Sequence, residues 1–523
     1  MTAGTLNSTT ERLAQAERLM AEQAYEPAHA LCMEVLAADP QAAGAWFLLG
    51  VLAADHDNPG KAAELFGRAA ALDLDDPRAP AHLARCLIAM NRRDEALAQA
   101  QIAEARKPAD ALIIDILGVV FRQVGLPSRA IGHFEAALAR EPGRASLACH
   151  LAFARQDVGD ADGAEAAFAQ ALALDPGLHQ AWSSRVLLRR QTAEQNFLPD
   201  LETQFAAARG SAAPRLHLGH ALAKTHEDLG NFEIALDWLI RAKAAMGRQV
   251  GYDPRADADL FAAARATCPT ATAGARGATS EGPIFVLGLP CGGAAAVEHI
   301  LSQHREVASV DNLTSFGLVL QRMTGSSGAL LMDEVALEAA GEIDLRRAGQ
   351  AYLQMAGARL AGAGRSVDRA PLNFVWAGLI HRAMPQARII CVRRHPMDAC
   401  METYRRLLPT DLACYDYAYD LTHTAAYCAG FERLMAHWRQ VLPVDRFTEV
   451  ALEDLVADPE GETRRLLEFC GLDVDPVFLA QDEATAPAAA VMATHAGSIG
   501  RWRSYGPGLA PLREALESAG VRL

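Results

Sequence analysis

The chain has 523 residues, more than the ~250–300 at which one hydrophobic core stops growing, so two or more domains are expected, and a hydrophobic fraction of 51% supports folded cores. A net charge of −15 excludes a generally basic, nucleic-acid-binding surface, and no run of about 18 apolar residues offers a membrane span. Met1 to Leu19 is polar and charged with no apolar centre, so no secretory signal is read there, and ten cysteines without metal-type pairing fit reduced thiols in the cytoplasm.

The first half of the chain repeats itself. Ala28, Ala62, Ala96, Ala130 and Ala164 stand a constant 34 residues apart. The same step joins Cys32, Phe66, Ala100, Phe134 and Phe168, and also Val35, Ala69, Ala103, Ala137 and Ala171. Proline fills four of five closing positions, Pro40, Pro108, Pro142 and Pro176, with Leu74 at the fifth. This is the period of the tetratricopeptide helix pair. A small residue in each first helix (Gly50, Gly118, Ala152) lets the second helix approach, and proline then ends that helix. A sixth unit begins at Trp182 and loses phase between Arg189 and Pro214. Another reads at Leu222, Ala223, Ala235, Leu239 and Ala242, which places the repeat array at 1–247. Its groove is expected to hold a protein or peptide, the alternative being a dimerisation or positioning surface. Residues 248–282 are read as linker, with Thr, Ala, Gly and Ser concentrated in Pro269 to Gly282.

From residue 283 the pattern changes. The apolar run Ile284 to Leu287 breaks into Gly288-Leu289-Pro290-Cys291-Gly292-Gly293 and then into a helical pattern from Ala294. This is how a buried strand delivers backbone N–H groups and a helix N-terminus to an anion. A long Ala/Leu-rich helical region runs to about Ala363, and a strand follows at Arg365–Pro371. Then come a helix at Asn373–Met384, a strong strand at Arg388–Val392, helices over Tyr415–Val441, a strand at Phe447–Leu452, and a helix ending at Phe469-Cys470-Gly471. Alternation of this kind implies a mostly parallel sheet covered on both faces, with ligands at the carboxyl ends of the strands. The expected fold is therefore an α-helical solenoid (1–247) followed by a phosphate-loop-like α/β domain (283–523).

The ordered blocks Gly288-Leu289-Pro290…Gly293, Asp368-Arg369-x-Pro371-x-Asn373, Val392-Arg393-Arg394-His395-Pro396-Met397-Asp398, Leu452-Glu453-Asp454-Leu455-Val456 and Gly497-Ser498-Ile499-Gly500-Arg501-Trp502 resemble the bacterial tetratricopeptide sulfotransferases. The catalytic half of those proteins is similar to the tyrosylprotein sulfotransferases. The resemblance implies transfer of a sulfuryl group from 3′-phosphoadenosine 5′-phosphosulfate to a hydroxyl, a protein tyrosine among the candidates, without a metal. It assigns the donor to Pro290, Cys291, Gly292, Gly293, Ala294, Ala295, Arg394, Glu402, Ser498 and Arg501, and the reaction to Asp311, Asn312, Arg369 and Ser498.

Several of these positions depart from the family. Its loop reads Pro-Arg-Ser-Gly-Thr-Thr; here Cys291 replaces the arginine that meets the sulfuryl group, and Gly292, Ala294 and Ala295 replace the hydroxyls that meet the 5′-phosphate. The amide cradle alone persists. Each lost charge-assisted bond is worth roughly 1.5–3 kcal/mol. Glu402 stands where the family has the serine of the 3′-phosphate site; it would repel a phosphate unless it turns away or pairs with Arg405 or Arg406, which lie at helical spacing. Asp311-Asn312 stands where the family has a Gly-Glu pair carrying the candidate base, which leaves Asp311 to take the proton. Arg369 replaces a lysine near the leaving phosphate. Cys291 reads either as a small filler or as a thiolate activated at a helix N-terminus. Trp502 and Tyr505 read as packing residues, and His299, His304 and His395 as helix-surface or turn residues. Two classes stay open: a working sulfotransferase, and a non-catalytic relative that acts as scaffold or regulator through the repeats.

Overall fold

The computed structural model describes residues 3–270, 282–310, 316–325, 334–340, 342–357, 360, 362–474 and 496–523. Asp311 and Asn312, most of the Pro269–Gly282 run and parts of the helical region before Ala363 lie outside the described residues. Two compact units divide at Arg190 and Gln191.

The first unit is a tetratricopeptide-type helical repeat. Helices α1 (Ala3–Ala21), α3 (Ala43–Asp55), α5 (Arg78–Ala89), α7 (Ala111–Gln123) and α9 (Ala145–Asp157) each pair with the helix that follows: α2 (Tyr25–Ala38), α4 (Pro59–Leu72), α6 (Arg93–Ala105), α8 (Pro127–Arg140) and α10 (Ala161–Leu174). Helix α11 (His179–Leu187) closes the unit. The second helices begin at Tyr25, Pro59, Arg93, Pro127 and Ala161, which carries the sequence period into the backbone. Ala28, Ala62, Ala96, Ala130 and Ala164 are all fully buried. Close packing explains the small residues: a Cβ on Gly118 would lie 2.5 Å from the Phe134 ring, and one on Gly50 2.7 Å from Phe66. The residues before Pro40, Pro142 and Pro176 leave the helical region (Asp39 φ −142°, Glu141 φ −126°, Asp175 φ −143°), as a following proline requires.

The second unit begins with α12 (Leu198–Ala207), α13 (Ala212–Asp228) and α14 (Phe232–Val250). The α13–α14 pair, expected to finish the array near 247, therefore belongs to the same compact unit as the α/β domain. The reason is its packing there: the buried Lys243 ammonium donates to the Ala418 carbonyl at 2.8 Å and lies over the Tyr404 and Tyr419 rings. The expected linker also holds α15 (Pro254–Ala266), whose Phe261 ring packs against Gly430, Phe374 and Tyr427.

The sheet has five parallel strands in the order β2-β3-β1-β4-β5, with β1 Ile284–Gly288, β2 Val307–Ser309, β3 Arg365–Asp368, β4 Arg388–Arg393 and β5 Phe447–Ala451. Strand β2, three residues long, was not expected from the sequence. Helices α16 (Ala294–Ser302), α17 (Phe316–Thr324), α18 (Glu334–Ala339), α19 (Leu345–Gly357), α20 (Ala377–Ala383), α21 (Pro396–Arg405), α22 (Leu421–Val441), α23 (Leu452–Ala457), α24 (Pro459–Cys470) and α25 (Ala510–Ser518) complete it. Two expected helix starts move. A 3₁₀ turn at Pro371–Phe374 delays α20 to Ala377, and another at Ala413–Tyr419 precedes α22, which Asp420 caps by accepting from Thr422 and His423 amides. Ile284, Val286, Ile390, Val392 and Leu452 form one face of the central core. Every residue of β1 is buried, as a central parallel strand requires.

Candidate functional site

Strand β1 sits between β3 and β4, where the chain's winding reverses, so the loops leaving all three strands open onto one crevice. Leu289, Cys291, Gly292, Gly293, Ala294 and Ala295 from the first loop, Arg369 after β3, Arg394 after β4, Glu402, Arg405 and Arg406 around α21, and Gly497, Ser498 and Arg501 near the C-terminus line a cavity of about 480 Å³. The structure thus brings together Cys291 to Ala295, Arg369, Arg394, Glu402, Ser498 and Arg501. Pro290 lies in the loop, its carbonyl accepting from the Thr403 hydroxyl at 3.2 Å.

The loop is built for backbone donors. The Gly292 amide donates to the Leu289 carbonyl at 2.9 Å, tightening the turn, and α16 starts at Ala294 without a side-chain cap. Gly293 at φ +101° occupies a region that side chains rarely adopt. The Cys291 thiol is pushed up by burial, which outweighs the opposing influence of the nearby arginines, the opposite of the shift that activates a thiolate.

The arginines are held in named ways. Arg394 donates from Nη2 to the Ser498 carbonyl (2.7 Å) and from Nη1 to the Cys291 carbonyl (3.4 Å), clasping the first loop to the C-terminal turn. Its buried Nε has no hydrogen-bond partner among the described residues. The neighbouring Arg393 faces the other way, onto Glu449 (2.6 Å) and Glu432. Arg369 Nε donates to Glu298 at 2.5 Å. Next to it the fully buried Asp368 accepts from the Ala370 amide (2.9 Å), Tyr352 hydroxyl (2.9 Å) and Asn373 amide (3.3 Å), fixing the turn that presents Arg369. Burial pushes the Asp368 carboxyl up to about 7. Asp398, in the first turn of α21, accepts from the Gly500 (2.6 Å) and Trp502 (3.2 Å) amides and so anchors the segment that carries Ser498 and Arg501.

Glu402 does not face the cavity as a lone carboxylate. It bonds Arg405 at 3.2 Å and Arg406 at 2.7 Å. Burial raises its pKa, but the two arginines outweigh burial and hold the carboxyl below its ordinary range. Sequence reasoning missed Glu227, which receives Arg405, Arg501 (2.9 Å) and the Tyr505 hydroxyl (2.5 Å). Tyr505, read from sequence as packing, is indeed fully buried but also makes this bond. Among the described residues, five guanidinium groups on the wall face three carboxylates, Glu402, Glu227 and Glu298, a net excess of cation suited to an anionic ligand. No group of three His, Cys, Asp or Glu with metal-ligand geometry occurs among the described residues.

Residues 283–476 match the model of the sulfotransferase family. This part of the chain is a sulfotransferase-family domain. The chain is also similar to an uncharacterized protein of Aquifex aeolicus (strain VF5), 26% identical over 339 residues, covering 62% of this chain and 44% of that protein. It resembles the nodulation protein NoeE of Sinorhizobium fredii, 26% identical over 227 residues and covering 38% of this chain and 52% of that one. The chain thus spans about half the length of the curated relatives it matches. Among solved structures it is similar to MamA (23% identity, 32% of this chain and 92% of that chain, TM-score 0.27) and Pseudomonas aeruginosa pilF (19%, 43% and 97%, TM-score 0.34).

Proposed function

We propose that the sulfotransferase-family domain binds 3′-phosphoadenosine 5′-phosphosulfate in this cavity and transfers its sulfuryl group to a hydroxyl, a protein tyrosine being the acceptor class. In this reading the repeat array recruits the acceptor or a partner protein, in the cytoplasm, where ten unpaired cysteines would stay reduced. The amides of Gly293 to Ala295 and the positive end of α16 would receive the 5′-phosphate. Arg394, Ser498 and Arg501 would receive the 3′-phosphate.

The transfer breaks the bond between sulfur and the leaving 5′-phosphate oxygen as the acceptor oxygen bonds sulfur. The acceptor's proton passes to Asp311 or to water. Such a transition state spreads negative charge over the sulfuryl oxygens and the leaving phosphate, so oriented cations supply most of the stabilisation. Arg369 is the cation at the leaving group.

The observation that carries this reading is the convergence of Gly292, Arg369, Arg394 and Ser498 on one cation-rich cavity from four separate segments. A second reading, a non-catalytic scaffold, is favoured by the side chains of Cys291, Ala294 and Ala295, which offer the donor no charge or hydroxyl.

Calorimetric titration with adenosine 3′,5′-bisphosphate tests the donor site. Micromolar binding that Arg394→Ala abolishes is expected, and retained affinity in that variant would put the phosphate site elsewhere. Transfer of labelled sulfuryl to a tyrosine peptide separates the two readings: binding without transfer leaves the scaffold.

A further inference from the structure

We infer that Glu227, on a helix that precedes the α/β domain, is a positioning residue for the 3′-phosphate side of the cavity, holding Arg405 and Arg501 as a paired anion clamp. The inference rests on the donor reading above. Glu227 lies in the last turn of α13, and its side chain is only 3% exposed. Its two oxygens take four donors. Oε1 accepts from Arg405 Nε (3.2 Å) and Tyr505 Oη (2.5 Å), while Oε2 accepts from Arg405 Nη2 and from Arg501 Nη2 (2.9 Å).

Arg405 and Arg501 come from different elements, α21 and the 3₁₀ turn at Arg501–Leu509, and both line the cavity. Two guanidinium groups brought side by side repel each other unless an anion lies between them. Glu227 is that anion, set behind the wall rather than inside the cavity. It leaves Arg405 Nη1 directed at Glu402 and Arg501 Nε buried without a partner among the described residues. A buried ion cluster adds little net stability compared with apolar packing of the same volume. Its geometry, in contrast, fixes where both cations point. No residue of the family's loop takes part, so the clamp is a contribution of helix α13 to the site.

The experiment compares adenosine 3′,5′-bisphosphate with adenosine 5′-monophosphate by calorimetry on the full chain. The loop amides meet the phosphate common to both nucleotides, and the clamp meets only the second. The wild type is expected to prefer the bisphosphate. Glu227→Gln places an amide N–H against arginine donors, so that preference should fall roughly tenfold, the equivalent of one charge-assisted bond, with monophosphate affinity unchanged. A purely structural role would weaken both nucleotides alike or neither, and either result overturns the inference while leaving the donor reading in place. If the wild type binds neither nucleotide, the donor reading fails and this inference with it. Should Glu227→Gln not fold, Tyr505→Phe removes one donor while keeping the ring; the preference should then drop about threefold, and an unchanged preference would overturn the inference.

Discussion

Replacing Glu402 and Cys291 together tests whether the cavity is a donor site with altered side chains. Glu402 is 5% exposed and pairs with Arg405 at 3.2 Å and Arg406 at 2.7 Å. A carboxylate and a phosphate charge about 5 Å apart repel by ~3 kcal/mol at an effective dielectric of 20. Glu402→Ser removes this repulsion and frees two guanidinium groups. Arg405 keeps Glu227, so the fold does not inherit an unpaired buried cation. Arg406 is 58% exposed, and solvent screening limits what it adds. Cys291→Arg restores a cation at a loop position whose φ of +60° already carries a side chain, so the backbone cost does not change. At roughly 1.5 kcal/mol for each exchange, the double variant should bind adenosine 3′,5′-bisphosphate about 100-fold more tightly by calorimetry. Unchanged or weaker affinity in a folded double variant would refute the mapping of these two positions. The acid limb gives an independent check. The folded carboxyl of Glu402 lies below its ordinary 4.5, so its ion pairs stabilise the protein above that pH and are lost as pH falls through the lower folded value. The variant should therefore lose stability less steeply in acid.

Two further outcomes follow from packing and burial. Gly118→Ala should destabilise the first unit by about 1–3 kcal/mol in urea, because the new Cβ would sit 2.5 Å from Phe134, whereas Gly132→Ala, with open space in α8, should stabilise it by about 0.5–1 kcal/mol. Equal effects would remove the close-approach argument. The Lys243 ammonium is pushed down to about 7 by burial, so folding favours the neutral amine and stability should rise with pH between about 7 and the ordinary 10.5. Lys243→Met should flatten that slope in denaturation curves taken at several pH values; an unaltered slope would show that another group titrates there.

The repeat half was legible because its information is local and periodic. The alanines at Ala28, Ala62 and their successors mark where helices touch, and the prolines mark where helices end. In the α/β half the strands at 284–288 and 388–393 read as apolar runs, and β2 did not, since three residues at a sheet edge carry no pattern. The loop glycines, Arg369, Arg394 and Ser498 were found through motif order, and the pairing of Glu402 with Arg405 and Arg406 through helical spacing. Glu227 could not be found by either route: it meets Arg405 across 178 residues, and a lone glutamate near the end of a helix looks like solvent-facing charge. Glu298 was hidden in the same way, since its tie to Arg369 spans 71 residues.

Because α13 and α14 share a compact unit with the sheet, the repeat register is a poor guide to where the polypeptide can be cut. A fragment beginning at Gln191 would retain the carboxylate that gathers Arg405, Arg501 and Tyr505, and the lysine seated on Tyr404 and Tyr419. One beginning at residue 248 would leave those arginines without their shared counter-charge and those rings bare. The helices that the repeat register assigns to the array thus stand behind the cavity's arginines, inside the same unit as the sheet.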